Sequence, residues 1–208
     1  MNLKEFNNLT DLFFYYSEKQ QQKDIFLEWL NKVNRKKFTW SDTRDSIYKV
    51  AKVLKEYVNT GDRVLLVSEN RPEWLISDLS IMLSNAITVP AYTTYTENDY
   101  KYLVEDCEPT VLIVSNNIIH KKLEKIISEK KFIKAIITFD NVARQDNDKK
   151  YFYFDSIIKE NLLEKDKIKI NNQTRNSPAC IIYTSGTGGN PKGVILSHGG
   201  ILNNLEGA

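Results

Sequence analysis

Residues 184–193 read Thr184-Ser185-Gly186-Thr187-Gly188-Gly189-Asn190-Pro191-Lys192-Gly193. Glycines let a backbone bend until several N–H groups point into one concavity, and such a concavity attracts anions, phosphate above all. The hydroxyls of Thr184, Ser185 and Thr187 add donors around it, and Lys192 adds a mobile positive charge. The composition of this glycine-rich loop, residues 184–193, therefore predicts a phosphate site.

Two apolar runs frame the loop. Ala179–Tyr183 precedes it and Val194–Leu196 follows it, and short apolar runs bounded by turn residues are typical of strands. The sequence thus predicts a buried strand, a loop and a short second strand. A plain glycine-rich hairpin turn is an alternative interpretation, but three hydroxyls, four glycines and a lysine within ten residues favour phosphate binding.

Two well-known phosphate loops do not fit this stretch. Counting a Walker pattern from Gly186 places Pro191 where the second glycine belongs and Gly193 where the Ser or Thr belongs. The dinucleotide pattern fits Gly186 and Gly188 but meets Pro191 at its third glycine, and a strand rather than a helix follows. The loop therefore belongs to neither class.

Charge and composition exclude several functions. The chain has 208 residues, 41% of them hydrophobic, and 29 Lys and Arg against 27 Asp and Glu. These values are ordinary for a globular protein, and the basic residues form no stripe, so no nucleic-acid partner is predicted. No signal peptide or membrane-length apolar run is visible, which predicts a cytoplasmic protein without a transmembrane segment. Peripheral membrane contact and oligomeric state stay open.

Cysteines and histidines indicate no metal site. Cys107 and Cys180 lie far apart in apolar surroundings, which predicts buried thiols in a reducing compartment rather than a disulfide. His120, predicted on an exposed helix face, and His198, predicted at a helix start beside the loop, have no metal-ligand spacing. Asp62 is predicted to serve a turn, and Glu73 a helix start.

The segment before residue 64 predicts a helix, a hairpin and a second helix. Apolar residues recur at helical spacing over residues 9–20, and two strand-like runs at 25–30 and 37–40 flank a polar turn. Ser41 is the predicted N-cap of the next helix, which Gly61 and Asp62 are expected to stop.

From residue 64 to residue 138 apolar strands alternate with helices. The predicted strands are 64–67, 87–90, 110–114 and 133–138, and the predicted helices 72–83, 97–105 and 118–129. Continuous apolar strands separated by helices predict a parallel sheet covered on both faces, so the fold class is α/β. Residues 140–150 and 164–178 are predicted exposed loop and linker segments, and between them a strand at 151–154 and a helix at 156–163, capped by Asp155, are expected.

The stretch Tyr183–Gly193 resembles the signature of the adenylate-forming enzymes, usually Tyr-Thr-Ser-Gly-Thr-Thr-Gly-x-Pro-Lys-Gly. That family includes acyl-CoA synthetases, luciferases and peptide-synthetase adenylation domains. Gly188 departs from the pattern, because the family usually has a hydroxyl residue there, and a glycine offers only its N–H. Further similar segments run through nearly the whole chain, and two of them, Ser68–Trp74 and Ala86–Tyr92, are most similar to the long-chain fatty acid branch.

The resemblance implies a two-step reaction. A fatty acid carboxylate attacks the α-phosphate of ATP to give an acyl adenylate and pyrophosphate, and the thiol of coenzyme A then displaces AMP. In the family this loop holds the β- and γ-phosphates together with Mg²⁺, with the lysine neutralising charge, so Lys192 takes the catalytic role here. The residues expected to bind ATP are Thr184, Ser185, Gly186, Thr187, Gly188, Gly189 and Lys192.

The resemblance also bears on domain organisation. It implies that residues 1–208 are the N-terminal portion of an AMP-binding domain, truncated after the phosphate-binding loop, because the family carries further motifs downstream. We therefore expect an incomplete adenylate-forming domain that is inactive alone. Two alternatives stay open: a non-catalytic phosphate-binding or interaction module that ends near residue 208, and an adenylate-forming enzyme with another carboxylate substrate.

Overall fold

The structure, a computed structural model, describes residues 3–30, 35–143, 148–167, 172–184 and 191–207. Within these ranges the helices are α1 (Leu9–Lys19), α2 (Trp40–Lys55), α3 (Pro72–Leu83), α4 (Glu97–Cys107), α5 (Asn117–Glu129), α6 (Phe154–Lys159) and α7 (His198–Glu206). The strands are β1 (Ile25–Leu30), β2 (Arg35–Thr39), β3 (Arg63–Val67), β4 (Ile87–Ala91), β5 (Val111–Val114), β6 (Ala135–Thr138), β7 (Lys150–Tyr153), β8 (Pro178–Thr184) and β9 (Lys192–Ser197). No helix in these ranges is both long and apolar enough to cross a membrane.

A seven-stranded sheet forms the centre of the fold. Its strand order is β7-β6-β5-β3-β4-β8-β9, and each neighbouring pair is parallel except β8 and β9, which are antiparallel. The α/β prediction with a partly parallel sheet is confirmed. A separate antiparallel hairpin of β1 and β2, also predicted, lies outside this sheet.

Helices cover both faces of the sheet. On β3, Val64 and Leu66 belong to a core with α2, α3 and α6, whereas Leu65 and Val67 belong to a core with α4 and α5. Successive side chains of a strand point to opposite faces, so one strand contributes to both cores. Two buried faces explain why β3 reads as a continuous apolar run rather than an alternating one.

Helix α2 begins two residues before the position predicted from Ser41. Thr39 is the N-cap: its Oγ1 accepts from the backbone N–H of Asp42 at 3.0 Å, and Asp42 Oδ2 accepts from the N–H of Thr39 at 3.0 Å. This reciprocal capping box satisfies two backbone donors, which a cap at Ser41 would not. The helix ends at Lys55, ahead of Gly61, which has a positive φ of 85° in the turn before β3.

A buried ion cluster attaches the β1–β2 hairpin to the start of α3. The Glu73 carboxylate is fully buried; it accepts two bonds of 3.0 Å from the Arg71 guanidinium and one of 2.8 Å from Lys36 Nζ on β2. Burial alone would raise the pKa of Glu73, but these bonds hold it below its usual value. Glu73 lies in the first turn of α3, as predicted.

The prediction that Asp155 caps a helix is wrong, because Asp155 belongs to the same ion cluster. Its carboxylate accepts from Lys36 Nζ at 2.6 Å, and no side chain caps α6, which spans Phe154–Lys159 rather than 156–163. Lys36, more than a hundred residues away in sequence, binds this carboxylate instead. The residues around Asp155 do not indicate that partner.

The prediction that His120 is exposed is wrong. His120 is fully buried on α5, and its Nε2 lies 3.0 Å from the Tyr151 hydroxyl of β7. It shares the inward face with Leu123 and Ile127, at helical spacings of three and seven residues. The thiols of Cys107 and Cys180 are free and buried, as predicted.

Candidate functional site

The strands β8 and β9 form the stem of the glycine-rich loop. They pair in antiparallel register, with Thr184 opposite Lys192 and Tyr183 opposite Gly193. The two predicted strands on either side of the loop are confirmed, and both Thr184 and Lys192 are exposed. The other predicted ATP contacts, Ser185, Gly186, Thr187, Gly188 and Gly189, lie outside the described residues.

Gly193 has a packing role. A Cβ added there would lie 2.9 Å from Ile181 Cγ2 and 3.2 Å from Cζ of the Tyr183 ring. Real Cβ atoms essentially never approach a neighbour as closely as 2.9 Å. A glycine at this position therefore lets β9 lie directly against the side chains of β8, independently of any contact with phosphate.

Two tyrosine hydroxyls connect the stem to α4. The Tyr183 hydroxyl donates to Asp106 Oδ2, and the Tyr102 hydroxyl donates to the backbone carbonyl of Pro191 at 2.8 Å. Burial, together with the bond to Asp106, raises the pKa of Tyr183 above its usual value, so the phenol keeps its proton at neutral pH. Tyr102 and Asp106 were not among the predicted site residues; their four-residue spacing, which places both on one face of α4, was the available signal.

A groove opens at the carboxyl ends of β3, β4 and β8. It has a volume of about 520 Å³ and extends over the segments 68–70 and 90–93, with Trp74, Tyr95 and Tyr183 also in its walls. In open α/β sheets, ligands bind outside the carboxyl ends of parallel strands. A smaller cavity of about 240 Å³ lies between α4 and the stem, bounded by Tyr102, Tyr183 and Pro191 among others.

His198 is the first residue of α7, as predicted, and it is fully buried. Its Nδ1 accepts from the backbone N–H of Leu9 at 3.3 Å, and its Nε2 lies 2.9 Å from Gln173 Oε1. A backbone N–H can only donate, so Nδ1 carries no proton and Nε2–H donates to Gln173. Burial lowers the pKa of His198 to about 4. The side chain therefore joins α7 to the start of α1.

A metal site is absent from the described part of the chain: no three His, Cys, Asp or Glu side chains lie together in a way that could hold an ion. Magnesium prefers oxygen ligands, carboxylates above all. The described residues of the loop supply the Thr184 hydroxyl and the Lys192 ammonium, and these do not make a Mg²⁺ site. We assign no Mg²⁺ ligand to them.

Known proteins resemble this chain in sequence. Fatty acyl-CoA synthetase A of Dictyostelium discoideum is 33% identical over 158 residues, which are 73% of this chain and 23% of that protein. A long-chain-fatty-acid–CoA ligase of Gallus gallus is 30% identical over 167 residues, 78% of this chain and 22% of that protein. The chain thus spans about a quarter of the length of these relatives.

Solved structures share the fold. An anthranilate CoA ligase in complex with anthranoyl-AMP superimposes with a TM-score of 0.79 at 22% identity, over 95% of this chain and 36% of that one. Acetoacetyl-CoA synthetase from Streptomyces lividans gives a TM-score of 0.81 at 17% identity, over 95% and 31% respectively. The sequence profile of AMP-binding enzymes matches residues 14–208. The chain belongs to the AMP-binding enzyme family.

Proposed function

We propose that this chain is the N-terminal part of an ATP-dependent long-chain fatty acid CoA ligase. In the first step a carboxylate oxygen bonds to the α-phosphorus of ATP as the bond to the β-phosphate oxygen breaks, giving an acyl adenylate and pyrophosphate. In the second step the sulfur of coenzyme A attacks the acyl carbon, loses its proton and releases AMP. The family match and the fatty acyl-CoA ligase relatives support this proposal, and a cytoplasmic location remains a prediction.

The role of this chain would be to hold the leaving pyrophosphate. The observation that supports the proposal is the β8–β9 register, which pairs Thr184 with Lys192 where the chain leaves β8 and returns on β9. Negative charge grows on the leaving group as the phosphorus–oxygen bond breaks. Preorganised N–H donors, hydroxyls and a cation lower the barrier by meeting that charge.

The remaining loop residues extend this role. Backbone N–H groups of Ser185, Gly186, Thr187, Gly188 and Gly189 would line the concavity, with hydroxyls from two of them. At Gly188 only the N–H is available, so this position would contribute less than the family's usual hydroxyl residue. Mg²⁺ would enter bound to the phosphates of the nucleotide and neutralise part of their charge.

Removing the lysine charge tests the phosphate role. Lys192→Ala should weaken binding of magnesium pyrophosphate to the 208-residue chain by about 10- to 100-fold, the range for losing a hydrogen bond to a charged group. Lys125→Ala, at an exposed lysine of α5, is the matched control and should bind as the wild type does. Isothermal titration calorimetry measures both. Equal affinity of wild type and Lys192→Ala would refute the assignment.

We propose that catalysis requires residues beyond this chain, because the relatives are about four times longer. The purified chain should therefore show no fatty-acid-dependent exchange of labelled pyrophosphate into ATP, and exchange above background would contradict this expectation.

The coding DNA beyond the codon for Ala208 separates the proposal from a non-catalytic module. An open frame encoding further motifs of the family supports the ligase, and a stop codon supports the module.

A further inference from the structure

The two ends of the glycine-rich loop are held by one helix. Tyr183 hydrogen-bonds Asp106 just before the loop leaves β8, and Tyr102 hydrogen-bonds the Pro191 carbonyl just before β9 begins. We propose that Tyr102 and Asp106 are positioning residues that fix the two described ends of the phosphate-binding loop, at Thr184 and Lys192, relative to α4. This inference rests on the proposed function, because it assigns a purpose to the placement of that loop.

The Asp106 contact fixes the outgoing strand. The Tyr183 ring lies over Gly193, with its Cζ 3.2 Å from the position of an added Cβ, and its hydroxyl reaches the Asp106 carboxylate. A phenol bonded to a carboxylate is a charge-assisted pair, which is stronger than a neutral hydrogen bond. Rotation of the ring would break this bond and open the contact with Gly193. The position of Tyr183, one residue before Thr184, is therefore fixed from two sides.

The Tyr102 contact fixes the returning strand. Pro191 has no N–H, so its carbonyl is the one backbone group through which hydrogen bonding can hold this residue. Tyr102 supplies the donor at 2.8 Å, directly next to Lys192. The lysine whose charge the proposed reaction uses is therefore attached to a backbone that α4 restrains.

Helix α4 is itself firmly placed. Tyr100 and Leu103 on its inner face are buried in the core that contains Leu65 and Val67 of β3. At its N-terminus Thr96 and Asp99 form a capping box, in which Asp99 Oδ2 accepts from the N–H of Thr96 at 2.8 Å. Tyr102 and Asp106 are one helical turn apart on this helix. Both described ends of the loop are thus attached to a single rigid element, which makes Thr184 and Lys192 less costly to preorganise.

Conservative substitutions test the positioning role. Tyr102→Phe keeps the ring and removes only the hydroxyl, and Asp106→Leu removes the acceptor for Tyr183. Each should weaken binding of magnesium pyrophosphate to the 208-residue chain about fivefold, the factor for one lost net hydrogen bond. Asp106→Asn keeps an amide oxygen that can accept a neutral hydrogen bond from Tyr183, and should weaken binding less than Asp106→Leu does. Glu105→Gln, on the same helix and bonded to Lys130, is the matched control.

Hydrogen exchange of the backbone amides in residues 192–197 gives a readout that needs no ligand. Tyr102→Phe and Asp106→Leu should speed this exchange about fivefold. Asp106→Asn should speed it less, and Glu105→Gln should leave it unchanged. If the wild type binds no pyrophosphate, the proposed function fails, and the exchange rates alone decide the positioning role. If the wild type binds but Tyr102→Phe changes neither affinity nor exchange, the positioning role is wrong and the proposed function stands. Should Asp106→Leu fail to fold, Tyr102→Phe alone decides between these outcomes.

Discussion

At the scale of single residues, the His198 imidazole must be neutral for its two hydrogen bonds to coexist. Its Nδ1 accepts from the backbone N–H of Leu9, and its protonated Nε2 donates to Gln173. A proton on Nδ1 would point at the Leu9 N–H and leave the buried ring charged. Burial lowers the pKa of His198 from its ordinary 6.5 to about 4, in agreement with this geometry.

The low pKa of His198 predicts that the folded chain loses stability as the pH falls. As pH falls through 6.5 the unfolded chain binds a proton on this imidazole, while the folded chain does not until about pH 4. The stabilising effect is therefore full above pH 6.5 and is lost as pH falls from 6.5 towards 4. Between pH 7 and pH 5 His198 should lower the free energy of unfolding by about 2 kcal/mol. Urea unfolding at a series of pH values measures this.

The variant His198→Gln isolates the effect of this one residue. Its amide can still donate to Gln173 but does not titrate, so the stability difference between wild type and variant should shrink as pH falls from 7 to 5. Two other groups titrate near this range: desolvation lowers the pKa of His120 and raises that of Asp78 to about 6, with opposite effects on stability. Both are present in both proteins and cancel in the difference. Parallel pH profiles would show that His198 is not the source.

At the scale of elements, the two adjacent glycines at the start of α7 leave different amounts of space for a side chain. The N–H of Gly199 donates to the Arg175 carbonyl at 2.7 Å, and an added Cβ there would lie 2.9 Å from that carbonyl oxygen. Backbone atoms cannot move aside as a flexible side chain can. At Gly200 the nearest atom to an added Cβ is Ser197 Oγ at 3.4 Å, an ordinary contact.

The two glycines should therefore respond in opposite directions to alanine. Gly199→Ala should lower the free energy of unfolding by about 1–3 kcal/mol, because the first turn of α7 must shift away from the Arg175 turn. Gly200→Ala should raise it by about 0.5–1 kcal/mol, because alanine is favoured over glycine within a helix. Urea unfolding of the pair at pH 7 measures both changes. Destabilisation of equal size in the two variants would mean that close packing at Gly199 is not the cause.

Features that depend on residues close in sequence could be predicted, whereas contacts between residues far apart in sequence could not. The strands between residues 64 and 138 were predictable because burial on both faces makes them continuous apolar runs. The Thr39–Asp42 capping box and the helical spacing of His120 were also readable, and both were interpreted wrongly. By contrast, the Lys36 partner of Asp155 and the Tyr102 partner of Pro191 are 119 and 89 residues away in sequence. No local pattern indicates such pairs, so the positioning contacts of the loop emerged only from the structure.

At the scale of the whole molecule, β9 is an apolar edge. In the described part of the chain its only strand neighbour is β8, and Val194, Ile195 and Leu196 are 45%, 62% and 38% exposed. An edge strand presents a row of backbone N–H and C=O groups, and neighbouring exposed apolar side chains further favour pairing with another strand. The sequence predicted a short strand here but not its exposure, because a run of three apolar residues does not reveal whether the sheet is covered at that point.

The 208-residue chain should therefore self-associate through β9. The wild type is expected to show a sedimentation coefficient that rises with concentration, and Ile195→Lys should largely abolish that rise by placing a charge on the edge strand. Ile118→Lys is the matched control, since Ile118 is 73% exposed but lies in the first turn of α5, where its backbone N–H already donates to the Asn116 side chain. Similar thermal unfolding midpoints would establish that neither variant acts by unfolding the chain. A wild type that stays monomeric would contradict the prediction, and an equal loss of association in Ile118→Lys would show that exposed apolar area, rather than the open strand edge, drives the association.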